Sequence, residues 1–344
     1  MKEIYGKLSD GREISLFTLK NKNGMEIRVS DYGAVLVNVF VPDKNGEKRD
    51  VVLGYDNPQG YENGDKFFGA IVGRSANRIG GACFTLNGKT YRLEKNDHDN
   101  NLHSGMDFYN KRIWQVKEAD DSHVIFLLHS PDMDQGYPGA VDIEVTYTLT
   151  EDNGVNIHYH AVPAADTILN LTNHSYFNLD GEGTGTVLEQ KVWINADTYT
   201  PADKASIPTG EIIPVAGTPM DFREGKLLGE EIDSSYEALK LGGGYDHNWV
   251  LNGSGLRKAA ELLSRQSGIK MEVYTDLPGM QVYTANFLED DHGKNGHTYG
   301  RRSAVCFETQ YFPDAVNKEQ FASPVVSAGE IYETETRYCF SVVS

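Results

Sequence analysis

Cysteine is scarce in this chain: Cys83, Cys306 and Cys339 are the 3 in 344 residues, an odd number set far apart. No pair has the close spacing of a zinc ribbon or a redox motif, so reduced, buried thiols are expected rather than a disulfide framework. Positive charge is also in short supply. Lys and Arg number 32 against 50 Asp and Glu, a formal net charge of −18, and such a surface repels both a nucleic-acid backbone and an anionic membrane. Long hydrophobic runs are missing too: no segment approaches the roughly 18 apolar residues of a membrane span. The stretch from Met1 to Leu16 is charged and alternating, without the apolar core of a signal peptide. No linker rich in Pro, Gly or Ser, no shift of composition and no repeat divides the chain. The expectation is a cytoplasmic protein that engages neither nucleic acid nor membrane and folds as one domain over residues 1–344. Monomer and homodimer stay equally open.

What the chain has in quantity is β pattern. Apolar and polar residues alternate over Glu13 to Lys20, Met25 to Ser30, Val35 to Val41, Val124 to His129, Val141 to Thr150 and Val155 to Val162. Asn23-Gly24, Asn45-Gly46 and Asn153-Gly154 punctuate them. Asn87-Gly88, between Phe84–Leu86 and Lys89–Leu93, reads as a two-residue hairpin turn, because both residues tolerate the positive φ it requires. Aromatic content (19 Tyr, 14 Phe) suits strands. Helix signals are few. Ile232, Tyr236 and Leu239 have helical spacing within Leu228 to Leu239. Leu256 to Arg265 reads as a strand that turns at Gln266-Ser267-Gly268 into Ile269 to Tyr274. The fold class is all-β, with packed antiparallel sheets and very few short helices.

Several polar segments interrupt the strands. Asn173, His174, Ser175, Tyr176, Phe177, Asn178 and Leu179 follow the apolar stretch Thr167 to Thr172. An imidazole delivered there by a strand to a loop mouth suits a general acid, since it changes charge near neutral pH; a structural histidine among hydrogen-bonding neighbours fits the same pattern. Glu308 ends the apolar strand Ala304 to Phe307, just before the Pro313 loop. A carboxylate there is costly unless it is paired or has a task, so a structural pairing and a catalytic base are both open. Gly73 to Gly81 lacks the ending of a phosphate loop and the spacing of a dinucleotide fingerprint. Its Asn77-Arg78 pair instead offers forked donors that suit sugar hydroxyls. Leu102 to Gly105, with His103, and Tyr245 to Trp249, with Asp246, are further polar insertions beside glycines. His158 and His160 share one strand face, but no carboxylate or further His nearby completes a metal-ligand set, so no metal is expected.

Taken in order, Gly73–Gly80, Leu102–Gly105, Asn173–Leu179, Gly244–Val250, Pro278–Thr284 with Gln281, and Phe307–Asn317 resemble the aldose 1-epimerases, or galactose mutarotases, over essentially the whole chain. The resemblance implies a large β-sandwich (a supersandwich) of twisted antiparallel sheets. It also implies an enzyme that interconverts the α and β anomers of free hexoses such as galactose and glucose, without metal or other cofactor. By motif position His174 is the general acid and Glu308 the general base. Asn77, Arg78, His103, Ser175, Tyr176, Phe177, Asp246 and Gln281 line the sugar site, with Arg78 and His103 near the ring oxygen or C1 and Phe177 or Trp249 covering an apolar sugar face. The chemistry asks for an ionised Glu308 and a protonated His174 in the starting state, both held near neutrality by their surroundings. The alternatives are an epimerase of a phosphorylated hexose, which wants a Lys/Arg cluster this acidic chain lacks, and a non-catalytic carbohydrate-binding protein. Glycoside hydrolysis usually needs two carboxylates across the bond.

Overall fold

Alternating side chains with one apolar face force these strands to bury that face against a second sheet, and three sheets share the resulting core. The computed structural model describes residues 1–343. The largest sheet has nine antiparallel strands, in spatial order Gln115–Ala119, His123–Ser130, Val141–Leu149, Gly154–Pro163, Tyr332–Val342, Ile269–Thr275, Arg257–Leu263, Lys191–Ile194 and Lys226–Leu227. Opposite it lies a six-stranded sheet of Tyr176–Phe177, Val305–Gln310, Gly279–Tyr283, Asp246–Val250, Thr198–Thr200 and Ile213–Pro214. A five-stranded meander, Lys2–Lys7 through Glu13–Lys20, Glu26–Ser30 and Leu36–Pro42 to Lys48–Asp50, extends the same side. The inward residues of all three form one apolar cluster, including Phe17, Ile27 and Val39, then Phe126, Tyr147 and Ile157, then Met280, Val282 and Phe307.

Polar ties cross this core. Tyr147 Oη donates to the Ala34 carbonyl (2.7 Å), joining the nine-stranded sheet to the meander. The hydroxyl of Tyr338 lies 3.0 Å from both Asn173 Oδ1 and the Phe307 carbonyl, joining the nine-stranded sheet to the strand that carries Glu308. The long alternating strands are present within a residue or two at each end. The strand expected to stop at Phe307 runs on as Val305–Gln310, and Thr167 to Thr172 is broken into Thr167–Ile168 and Thr172–Asn173, which pair with different partners. Asn87 (φ +51) and Gly88 (φ +75) make the hairpin turn between Cys83–Leu86 and Lys89–Arg92. Arg257–Leu263 pairs with Ile269–Thr275 as a hairpin, as read from the sequence.

The helix expected over Leu228 to Leu239 is the exception. Only Glu237–Gly242 is helical. Leu228 and Gly229 instead give their N–H groups to the carbonyls of Gln190 and Leu188, at 3.0 and 2.8 Å. Leu228 and Ile232 are buried as expected, but from a turn whose backbone bonds are tertiary rather than helical. Pro58–Asn63 is the other α-helix among the described residues, capped by Asn57, whose Oδ1 accepts from Gly60 N–H at 3.0 Å. No helix of the described residues is long and apolar enough to cross a membrane.

Candidate active site

The pocket opens on the outward face of the six-stranded sheet, and strand parity decides which side chains reach it. In Val305–Gln310, Cys306, Glu308 and Gln310 point one way and Val305 and Phe307 the other, into the core. Gln281 lies opposite Glu308 in the register, and Asn248 opposite Gln281. The result is a pocket of about 240 Å³ lined by Asn77, Arg78, His103, His174, Tyr176, Asp246, Gln281 and Glu308, with Phe67, Tyr283 and Phe287 around them. That is below the roughly 300–1,000 Å³ of pockets for drug-sized ligands, a size for one sugar ring.

His174 sits between two short strands, Thr172–Asn173 and Tyr176–Phe177. Its backbone N–H donates to the Ala70 carbonyl at 2.9 Å, and its carbonyl accepts from Gly69 N–H at 3.0 Å. Only glycine suits position 69: φ is +64°, and a Cβ would fall 2.2 Å from the Leu36 carbonyl oxygen. The imidazole is slotted between the rings of Tyr176 (4.9 Å between centroids, 19° between planes) and Phe67 (6.0 Å, 21°). Its Nε2 lies 3.6 Å from Glu308 Oε1, and its Nδ1 lies 3.5 Å from Cys306 Sγ.

Burial sets the protonation of this pair. Desolvation pulls His174 down to about 4. Desolvation first, then the Asp246 charge, pushes Glu308 well above the usual carboxylate range, with Arg78 opposing. Both shifts run against charge on the pair, so burial opposes the charged starting state that the chemistry asks for rather than holding both groups near neutrality. His103 is likewise held well below its ordinary value by burial, then by His174 and Arg78. Its Nδ1 accepts the Asn77 backbone N–H at 3.1 Å, so the neutral ring carries its proton on Nε2. Asn77 (φ +59) and His103 (φ +53) are both left-handed, a conformation for which Asn and His are enriched among non-glycine residues.

The polar wall is a relay of amides. Asn77 Nδ2 donates to Gln310 Oε1 (3.4 Å), Gln310 Nε2 to Asn248 Oδ1 (3.1 Å) and Gln281 Oε1 (3.4 Å), and Gln281 Nε2 to Asp246 Oδ1 (2.7 Å). Arg78 Nε donates to Asp97 Oδ2 at 2.7 Å, which anchors the guanidinium. Among the described residues, His103, His174 and Glu308 also form the set that could hold a metal ion, their ligand atoms lying within 4.8 Å of one another. His158 and His160 belong to a different face. Their neighbour Tyr159 points inward to Asn173, while His158 Nε2 meets Glu333 Oε1 outside at 2.9 Å, a carboxylate not apparent from the sequence.

Two expected sugar contacts and one expected cover are corrected. Because Tyr176 faces the pocket, Phe177 must face the core, where its ring packs on Tyr338 at 4.8 Å. Trp249 is turned inward by the same alternation from Asn248, and its indole N–H donates to the Met220 carbonyl at 3.0 Å. Ser175 does not line the pocket; its hydroxyl is buried without a hydrogen-bond partner. The aromatic surfaces present are Phe67, Tyr283 and Phe287, which the sequence reading missed. Tyr283 was within reach of it, two residues past Gln281 on one strand. Phe67 (φ +59) stands in a left-handed conformation that nothing in the sequence announces.

Fold and pocket together define the class: an all-β protein whose small polar pocket sets an imidazole beside a carboxylate. The comparisons narrow it. The family model "Aldose 1-epimerase" matches residues 15–339. The chain is 40% identical to a galactose mutarotase of Mus musculus over 98% of both chains. It is 36% identical to an aldose 1-epimerase of Escherichia coli (strain K12) over 96% of both. The crystal structure of an aldose epimerase homologue from C. elegans superposes with a TM-score of 0.90 at 33% identity, covering 96% of this chain and 99% of that one. The chain belongs to the aldose 1-epimerase family.

Proposed function

We propose that His174 and Glu308 are the proton-transfer pair with which this aldose 1-epimerase interconverts the α and β anomers of free hexoses such as galactose and glucose. The observation that carries the assignment is the 3.6 Å approach of His174 Nε2 to Glu308 Oε1 across the pocket. Ring opening removes the proton of the C1 hydroxyl and adds one to the ring oxygen. Glu308 takes the first as carboxylate and His174 gives the second as imidazolium, leaving an open-chain aldehyde. C1 turns about the C1–C2 bond, and the reverse transfers close the ring on the other face. Each positioned transfer is typically worth about 10²–10⁴-fold.

The desolvated site helps this step in a definite direction. Ring opening converts imidazolium and carboxylate into imidazole and carboxylic acid, so two buried charges disappear while the pair keeps the same number of protons. Burial that disfavours both charges therefore favours the open-chain side and makes His174 a strong acid and Glu308 a strong base. Arg78 and the sugar hydroxyls stabilise the charged form from which opening starts. Asn77, Arg78, His103, Tyr176, Asp246 and Gln281 hold the sugar, with His103 donating from Nε2 and Asp246 accepting; the amide relay supports this division of donors and acceptors.

The same proposal includes one domain over residues 1–344, supported by the core common to all three sheets. It also includes a cytoplasmic monomer or homodimer, with sedimentation velocity to decide between the two. Polarimetry of freshly dissolved α-galactose tests the activity: the protein accelerates the relaxation of optical rotation. No acceleration would leave the non-catalytic sugar-binding reading, and a preference for a hexose 6-phosphate over galactose would favour the phosphorylated-sugar alternative.

A further inference from the structure

Among the described residues, Cys306 is the one cysteine that is fully buried, and the anomer chemistry has no use for a thiol. Parity places it on the pocket face two residues before Glu308, in register with Tyr176 on one side and Tyr283 on the other. Its Sγ lies 3.5 Å from Nδ1 of His174, the nitrogen that faces away from Glu308. The rings of Tyr176 and Phe67 fix the plane of the imidazole, but stacking alone does not distinguish the two orientations related by a flip about Cβ–Cγ. One puts Nε2 beside Glu308; the other puts a carbon there. Glu308 at Nε2 and the thiol at Nδ1 both favour the first, and the thiol does so from the side away from the sugar.

We propose that Cys306 is a positioning residue of this enzyme, its thiol packed behind the imidazole to hold Nε2 toward sugar and Glu308 without placing an anion at Nδ1. The proposal rests on the assignment of His174 as the acid. A thiol is a weak donor and a weak acceptor. It therefore meets Nδ1 whether or not that nitrogen carries a proton, and it lends the imidazolium little of the stabilisation that a carboxylate partner gives. Burial, then the Glu308 and Asp246 charges, push the Cys306 thiol well above its ordinary range, so it stays neutral. The other titratable and charged groups facing the imidazole are Glu308, His103, Tyr176 and Tyr283, with Asp65, Lys66, Arg78 and Asp246 at the pocket wall.

The test combines kinetics on galactose with nitrogen-15 NMR of the His174 ring in the full chain. Cys306→Ala loses the contact: kcat falls about tenfold, on the scale of other partners that orient a functional histidine, with KM within about twofold. Cys306→Ser restores a contact at Nδ1 with a better acceptor, so kcat recovers toward wild type while His174 titrates at a higher pH. Wild-type kcat in the Ala variant, or an unchanged His174 titration in the Ser variant, overturns the proposal; if the Ala variant does not fold, the Ser titration decides. His174→Asn separates the two ideas. A wild-type rate there removes the acid assignment, whereas an inactive His174→Asn beside unaffected Cys306 variants removes only the role of Cys306.

Discussion

The two faces of one sheet, built by the same three strands, could hardly differ more. On the inward face of Asp246–Val250, Gly279–Tyr283 and Val305–Gln310 lie Trp249, Met280, Val282, Val305 and Phe307, all within the main apolar cluster. On the outward face lie Asp246, Asn248, Gln281, Glu308 and Gln310, most of them as deeply buried, yet polar, with Asp246 and the three amides bonded to one another. Period-two geometry lets one strand serve both: Phe307 stabilises the sandwich, and the next residue carries the chemistry at a cost in stability. The lesson is that burial here has two meanings. Inside it excludes water from carbon; outside it disfavours charge on His174 and Glu308.

Substitutions that act on one face and spare the other test this contrast. The largest effect is expected at His174, where His174→Asn lowers kcat by at least about 10²-fold with a native circular dichroism spectrum; polarimetry on galactose reads it. Phe307→Ala, one residue from Glu308 but on the other face, costs about 3–5 kcal/mol of stability, read from the shift of the denaturant midpoint. Arg78→Lys follows, with kcat/KM down about tenfold, because an ammonium cannot reproduce the fork that bonds Asp97 and still reaches the pocket.

The smallest and most discriminating effects lie in the pH dependence of stability. Glu308 titrates above its unfolded value of 4.5 in the folded protein. As pH rises past 4.5 the unfolded chain releases this proton while the folded one keeps it, and stability falls. Glu308→Gln removes that loss, so its Tm relative to wild type climbs as pH rises above 4.5. His174 has the opposite sign. Its folded value of about 4 lies below the ordinary 6.5, so stability falls by about 3 kcal/mol as pH drops from 6.5 to 4 and the unfolded chain takes up the proton. The Tm of His174→Asn relative to wild type accordingly climbs as pH falls.

Much of this architecture was legible in the residues. Alternation located the long strands, Asn87-Gly88 located its hairpin, and the ordered polar segments brought Asn77, Arg78, His103, His174, Asp246, Gln281 and Glu308 to attention; the fold gathers these around one pocket. Phe177 and Trp249 went astray through a parity that was available, since accepting Tyr176 for the pocket commits Phe177 to the core. Three-dimensional packing held the rest. Phe67 reaches the pocket through a left-handed backbone far away in sequence, and Leu228 and Gly229 give their N–H groups to Gln190 and Leu188 instead of opening a helix. The pull on His174 and Glu308 away from their charged forms follows from desolvation, which depends on what surrounds a group and not on its neighbours in the chain.

The most direct measurement is the relaxation of optical rotation of freshly dissolved α-galactose with Glu308→Gln, at a concentration where wild type completes it quickly. Gln keeps the shape and hydrogen-bonding reach of the side chain but cannot accept the proton of the C1 hydroxyl. The expected result is relaxation near the spontaneous rate from a protein with the wild-type circular dichroism spectrum. A wild-type rate from that folded variant would contradict the account.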